Sequence, residues 1–233
     1  MTQLSLFSAD LTPPQLTDLG GLLAAHGQLA AGPDGVRMSI LLGDGWRASA
    51  LQRECRVRDV PAEVTDAMAG SELTQAPERG EPAERTQPAA GTGPVEGTAV
   101  APAEPRAFRG ILLRTDRLPM LAAVAADWTR GAVKSVPGDL IITAGFLRCW
   151  TLAAGRPAEI GFLLGLDPHA PDTHEPLAAA CAAAGLAGSL LGIRGGGPAV
   201  RIVGHRRCTR LAEMIGSPPP EAPAHSFPVH GHH

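Results

Sequence analysis

The densest run of groups able to do chemistry is Asp167-Pro168-His169-Ala170-Pro171-Asp172-Thr173-His174-Glu175, with two histidines and three acids. Such a set can hold a metal ion or move a proton. The same residues also spell a loop and a helix start, with Thr173 or Asp172 as cap and Glu175 favouring the positive helix end. We adopt that simpler reading. The four cysteines, Cys55, Cys149, Cys181 and Cys208, form no CxxC pair, so they are expected as buried free thiols and not as a zinc or redox site. Arg194-Gly195-Gly196-Gly197 lacks the spacing of a phosphate-cradling loop. His230, His232 and His233 end a solvated tail. No metal site and no cofactor is expected.

What remains able to bind is arginine. The formal net charge is −3, but its distribution matters more than its sum. From Asp66 to Pro105 there are seven acids against two bases. From Arg106 to Arg210 there are thirteen bases against seven acids, and twelve of the thirteen are arginine, Lys134 being the exception. Arginine suits bidentate phosphate contact. Aromatic residues make up 3% of the chain and Tyr is absent, which argues against stacking of single-stranded bases. No apolar run reaches the roughly 18 residues that span a bilayer, so no membrane partner and a cytoplasmic location are expected.

The elements that must position these arginines fall in two blocks, 1–66 and 106–216. Between them, 67–105 is rich in Ala, Pro, Glu, Gly and Thr and reads as a disordered acidic linker. The proline-rich tail, 217–233, is read the same way. In the first block Thr12 and Pro13 start a helix over 14–25 that Gly27 ends. Strands over 28–31 and 36–42 flank the turn Gly32-Pro33-Asp34-Gly35, and a helix covers 46–57. A second hairpin, 57–64 with 108–114, is split by the linker, where loop closure grows only slowly with length. The second block predicts a helix over 119–134, a hairpin of 140–143 with 146–153, an apolar strand over 160–166 and a helix over 174–184. Strands over 189–193 and 199–203 and a helix over 206–215 follow. That last helix turns Leu211, Met214 and Ile215 inward and Arg206, Arg207 and Arg210 outward.

Helix, hairpin, helix, hairpin, helix, read twice, resembles the LAGLIDADG homing endonucleases, and more closely the degenerate LAGLIDADG pair of the WhiA sporulation-regulator family. Three segments carry the resemblance: LTDLGGLLAAHGQL (16–29) as a first motif helix, TRGAVKSV (129–136) as the second, and 172–215 as the closing half. It implies an α+β fold, a pseudo-twofold pair of αββαββα units forming a saddle of antiparallel sheets. It also implies two motif helices packed through small residues: Gly20, Gly21 and Ala24 against Arg130 and Gly131, with Gly21 and Gly131 closest.

In that family active members place an acid at the foot of each motif helix to hold divalent metal. The alignment puts His26 and Val136 there, so no cleavage is expected, and Asp139 nearby would lack a partner acid. The family's helix-turn-helix domain has no counterpart after Gly216. A grip on duplex DNA is then expected from Lys134, Arg148, Arg194, Arg201, Arg206, Arg207 and Arg210. Arg148 and Arg201 are placed on strands facing the saddle, with Arg194 at a hairpin tip. The expected function is a non-catalytic DNA-binding protein, a transcription-related regulator. The alternative is a protein-interaction module whose partner belongs to the transcription machinery.

Overall fold

The computed structural model describes residues 8–68 and 109–228. The terminal histidines and all of the expected disordered linker but Ala67 and Met68 fall on residues outside these; those two end a paired strand. A 3₁₀ turn, Leu16–Leu19, opens α1 (Gly20–Ala24). It starts where the Asp18 carboxylate accepts from the Gln15 N–H at 2.9 Å. The expected start at Thr12 is displaced, because the Thr12 hydroxyl donates to the Ser8 carbonyl instead. The Gly27 N–H closes α1 onto the Leu22 carbonyl at 2.8 Å.

From there the chain lays down β1 (Gln28–Gly32), β2 (Gly35–Leu42), α2 (Gly45–Arg56), β3 (Ala62–Met68), β4 (Arg109–Thr115) and α3 (Leu121–Trp128). β2 alternates strictly. Val36, Met38, Ile40 and Leu42 are buried against the helices, while Arg37, Ser39 and Leu41 stay half-exposed on the other face. β3 pairs antiparallel with β4, from Ala62↔Thr115 to Met68↔Arg109, so residues 69–108 are inserted between paired strands.

The segment 129–136 corrects the expected second motif helix. α3 stops at Trp128 because Thr129 turns extended. Gly131, at φ +65, then bends β5 (Thr129–Arg130) back on β6 (Val133–Lys134). Its open left-handed backbone has no neighbour a Cβ would meet, so Gly131 is not a helix-packing residue, and Arg130 is exposed beside it. The second central helix is α4 (Ala144–Ala154), where strands were expected. Thr143 caps it, its hydroxyl accepting from the Phe146 N–H at 3.0 Å. Nearly every residue of α4 is buried. An apolar run covered on all sides shows neither a two-residue nor a 3.6-residue period, so pattern alone cannot tell it from a strand.

β7 (Gly155–Pro157), β8 (Phe162–Gly165), α5 (His174–Ala183), β9 (Ser189–Leu191), β10 (Ala199–Ile202) and α6 (His205–Ile215) complete the second unit. α5 begins from a 3₁₀ turn, Pro171–Thr173. The Thr173 hydroxyl donates to the Ala170 carbonyl and does not cap the helix as expected. The two sheets have one order, β1-β2-β4-β3 and β7-β8-β10-β9, and the units repeat αββαββα.

α1 and α4 cross at the centre. A Cβ on Gly21 would stand 2.6 Å from the Trp150 backbone nitrogen and closer still to the Phe146 carbonyl. A Cβ on Gly20 would meet the Trp128 and Phe146 rings at about 3 Å. Ala24 is fully buried with them. At one end of this crossing Asp18, 3% exposed, accepts from Arg58 (2.8 Å) and from the Thr143 hydroxyl (2.6 Å). Arg58 also pairs with Glu54 (2.8 Å), and Glu54 with Arg148 (2.6 Å). The chain from Ser217 to Pro228 is not the free tail expected. It returns along α2, with Glu221 paired to Arg53 at 2.7 Å and Phe227 buried beside Trp46. No helix among the described residues is long and apolar enough to cross a membrane.

Candidate nucleic-acid interface

The helices cover one face of each sheet; the other is open on the first, while on the second Leu163 and Ala199 are buried and Arg201 and Ser189 are exposed. At the seam of these two faces lie the feet of α1 and α4. Extending the registers by two residues in the first sheet and by one in the second sets His26 opposite Leu41 and Ala154 opposite Gly165. The glycine after each, Gly27 and Gly155, comes too close to a helix carbonyl for a Cβ, that of Leu22 and of Thr151. His26 and Ala154 are therefore equivalent, and the residue at the second foot is Ala154, correcting Val136. Both line a cleft of about 330 Å³ with Arg47, Arg156, Gly165 and Pro198.

Two cations close the helix ends there. Lys134 Nζ donates to the carbonyls of Leu23 (3.1 Å) and Gly27 (2.7 Å) and pairs with Asp167 (2.5 Å). Arg47 donates to the carbonyls of Thr151 (3.1 Å), Leu152 (2.9 Å) and Gly155 (2.5 Å) and pairs with Asp44 (3.1 Å). Cations at a helix C-terminus complement its dipole. The arrangement is nearly pseudo-symmetric: Asp44 follows Leu41 by three residues and Asp167 follows Gly165 by two. Burial pushes the Asp167 carboxyl up, but Lys134 and the His169 N–H outweigh it and hold the group below the usual range. Burial lowers the Arg47 guanidinium. His26 donates its Nε2–H to the Leu41 carbonyl at 2.6 Å; a carbonyl only accepts, so that nitrogen carries the proton.

Cross-strand rows run over both of these faces. On the first sheet Gln28, Ser39, Arg114 and Glu63 stand side by side, one from each strand. On the second the matching row is Arg156, Leu163, Arg201 and Ser189. Arg114 and Arg201 thus occupy the same place in each unit. Neither they nor Arg37 have a hydrogen-bond or ion-pair partner among the described residues. Arg156 differs, donating to the Gly196 carbonyl across the β9–β10 connection.

The structure separates the other expected arginines from this surface. Arg194 is exposed on that connection, in the 3₁₀ turn Ile193–Gly195. Arg148 is on α4, not on a strand, and its guanidinium is held by Glu54 and the carbonyls of Ile215 and Ser217 (2.8 Å each). Lys134 is bound to the end of α1. Arg206, Arg207 and Arg210 are exposed on α6 in the helix layer. Arg207 donates to the Ala187 carbonyl (2.5 Å) and Arg210 to that of Ala184 (2.9 Å), the last residue of the α5 cap. Sequence reasoning missed Arg37 and Arg114. The alternation that selected Arg201 also marks them: Arg37 lies between Val36 and Met38, and Arg114 between Leu113 and Thr115, all four turned inward. Among the described residues no cluster of three or more His, Cys, Asp or Glu is placed to hold a metal ion.

No protein family matches the chain by sequence, and no curated protein does. A solved structure does match in fold: the homing endonuclease I-WcaI bound to its DNA recognition sequence. The TM-score is 0.56 over 94% of this chain and 85% of that one, at 13% identity. The chain has a LAGLIDADG-like fold, two αββαββα units with antiparallel sheets.

Proposed function

We propose that this chain holds duplex DNA in the saddle formed by its two sheet faces opposite the helices and does not cut it. The observation that carries the reading is the pair Arg114 and Arg201, at matching positions of the two sheets and without a partner among the described residues. A guanidinium with no partner inside the protein is free to meet a phosphate or a base edge. The fold neighbour, itself solved on a DNA recognition sequence, supports DNA as the partner.

The second part of the reading rests on the helix feet. Divalent metal for phosphodiester cleavage wants hard oxygen ligands. His26 and Ala154 supply none. The carboxylates nearest, Asp44 and Asp167, are paired with Arg47 and Lys134. Such a protein acts by occupancy, as a regulator of transcription would. The closer resemblance to the WhiA regulators belongs with this proposal and rests on segments 16–29 and 172–215.

The test is binding of the full chain to duplex DNA across a salt series. Affinity should fall steeply, with a log–log slope of about −0.9 for each phosphate contact. The double change Arg114→Ala and Arg201→Ala should weaken binding and lower that slope by about one for each of the two that meets a phosphate. Nicking of supercoiled DNA in Mg²⁺ should stay at background, and dependable nicking would end the non-catalytic part. The second reading, a protein-interaction module, is favoured by one observation: Ile193, 80% exposed, projects beside edge strand β9. It gains if no duplex binding occurs at low salt.

A further inference from the structure

We propose that recognition is one-sided: the first sheet reads base sequence, and the second only grips the backbone. This rests on the duplex-binding reading above.

The first argument is reach. β2, β3 and β4 have eight, seven and seven residues, whereas β7 to β10 have three or four. At about 3.3 Å per residue, β2 spans roughly 26 Å of groove and β8 roughly half of that.

The second argument is chemistry at matching positions. On the first sheet Arg37, Ser39, Thr65 and Arg114 present donors and acceptors on the open face, all exposed or half-exposed, while Gln28 beside them donates to the His26 carbonyl (3.3 Å) and to Asp167 (3.4 Å). These groups can distinguish base edges in a major groove. In the second unit the place of Ser39 is taken by Leu163, 6% exposed, and that of Thr65 by Leu191. The place of Arg37 falls to Gly161, outside the strand at φ +87. The place of Gln28 is held by Arg156, whose guanidinium is spent on the Gly196 carbonyl. What remains is Arg201 with Ser189 beside it. An isolated arginine on a short, apolar sheet suits a phosphate, which positions a duplex without reading it.

The experiment is selection of the full chain against random duplexes at fixed ionic strength. Binding by wild type, Arg37→Ala, Arg114→Ala, Arg114→Lys and Arg201→Ala is then measured on the selected duplex and its single-base variants. Sequence preference should be confined to one half of the selected site. Arg37→Ala and Arg114→Ala should each erase a preference of about five- to hundredfold at a single position. Arg114→Lys keeps the charge but loses the fork, so it should lose that preference while keeping the salt slope. Arg201→Ala should weaken all duplexes alike and lower the salt slope by about one. Two equally defined half-sites, binding with no preference, or a base preference altered by Arg201→Ala would each overturn one-sided reading and leave duplex binding standing. Absence of salt-sensitive binding to any duplex would overturn both.

Discussion

Lys134 is a basic residue in a basic half, and by charge alone it belongs with the DNA-binding arginines. Its ammonium instead serves the end of a helix more than a hundred residues earlier in the chain. The pairing has a pH signature. The folded pKa of Asp167 lies below its unfolded value, so its contribution is fully present above the unfolded value and is lost as pH falls through the folded one. Melting temperature followed from about pH 5 to about pH 2.5 should fall more for the wild type than for Lys134→Met, which has less to lose. Parallel curves would deny the pair that role. The thiols give a second expectation. Burial pushes Cys55 and Cys181 up to about 12 and raises Cys149 well above its ordinary value. Since the thiolate is the nucleophile, alkylation at neutral pH should spare all three until the protein is unfolded. Native labelling of Cys149 would contradict its place in the core.

Among the elements, the crossing of α1 and α4 is the one that tolerates least. The backbones approach so closely at Gly21 that a side chain has nowhere to go. Gly21→Val should therefore cost about 3 kcal/mol or prevent folding, as overpacking does. Gly131→Ala, in an open hairpin, meets only the smaller cost of left-handed backbone. Denaturant midpoints of the two variants in that order would support this crossing; the reverse order would favour the 129–136 segment as partner. Thr143→Ala removes the α4 cap and should cost about 1 kcal/mol, and more through its bond to Asp18. Legibility differed between elements for a plain reason. β2 and α6 each have one face in solvent and β10 has Arg201 exposed, and their patterns mark these elements. α4 has no solvent face, so it read as strands and carried Arg148 to the wrong surface.

Across the whole molecule the two units are held by charge as well as by apolar packing. Asp18, Arg58, Glu54 and Arg148 run in sequence from the first unit into the second. Arg58→Met would strand a buried carboxylate and should cost about 3–5 kcal/mol, measured by chemical denaturation. A cost under 1 kcal/mol would mean that the network contributes little. The chain after α6 returns to the first unit through Phe227, and Phe227→Ala should lower stability by about 3 kcal/mol.

By itself the sequence determined the α+β class with helices alternating with hairpins, the small residues of 16–29 and the basic character of the second half, but not where the second unit begins. These are local patterns of polarity, size and charge, and they survive without coordinates. It also marked the foot of the first motif helix at His26, because α1 passes directly into a strand with an outward face. Only the tertiary structure decided which helix crosses α1, that Ala154 is the partner of His26, and which cations are already spent on backbone carbonyls. Those answers depend on residues distant in the chain meeting in space, and no local period records such a meeting.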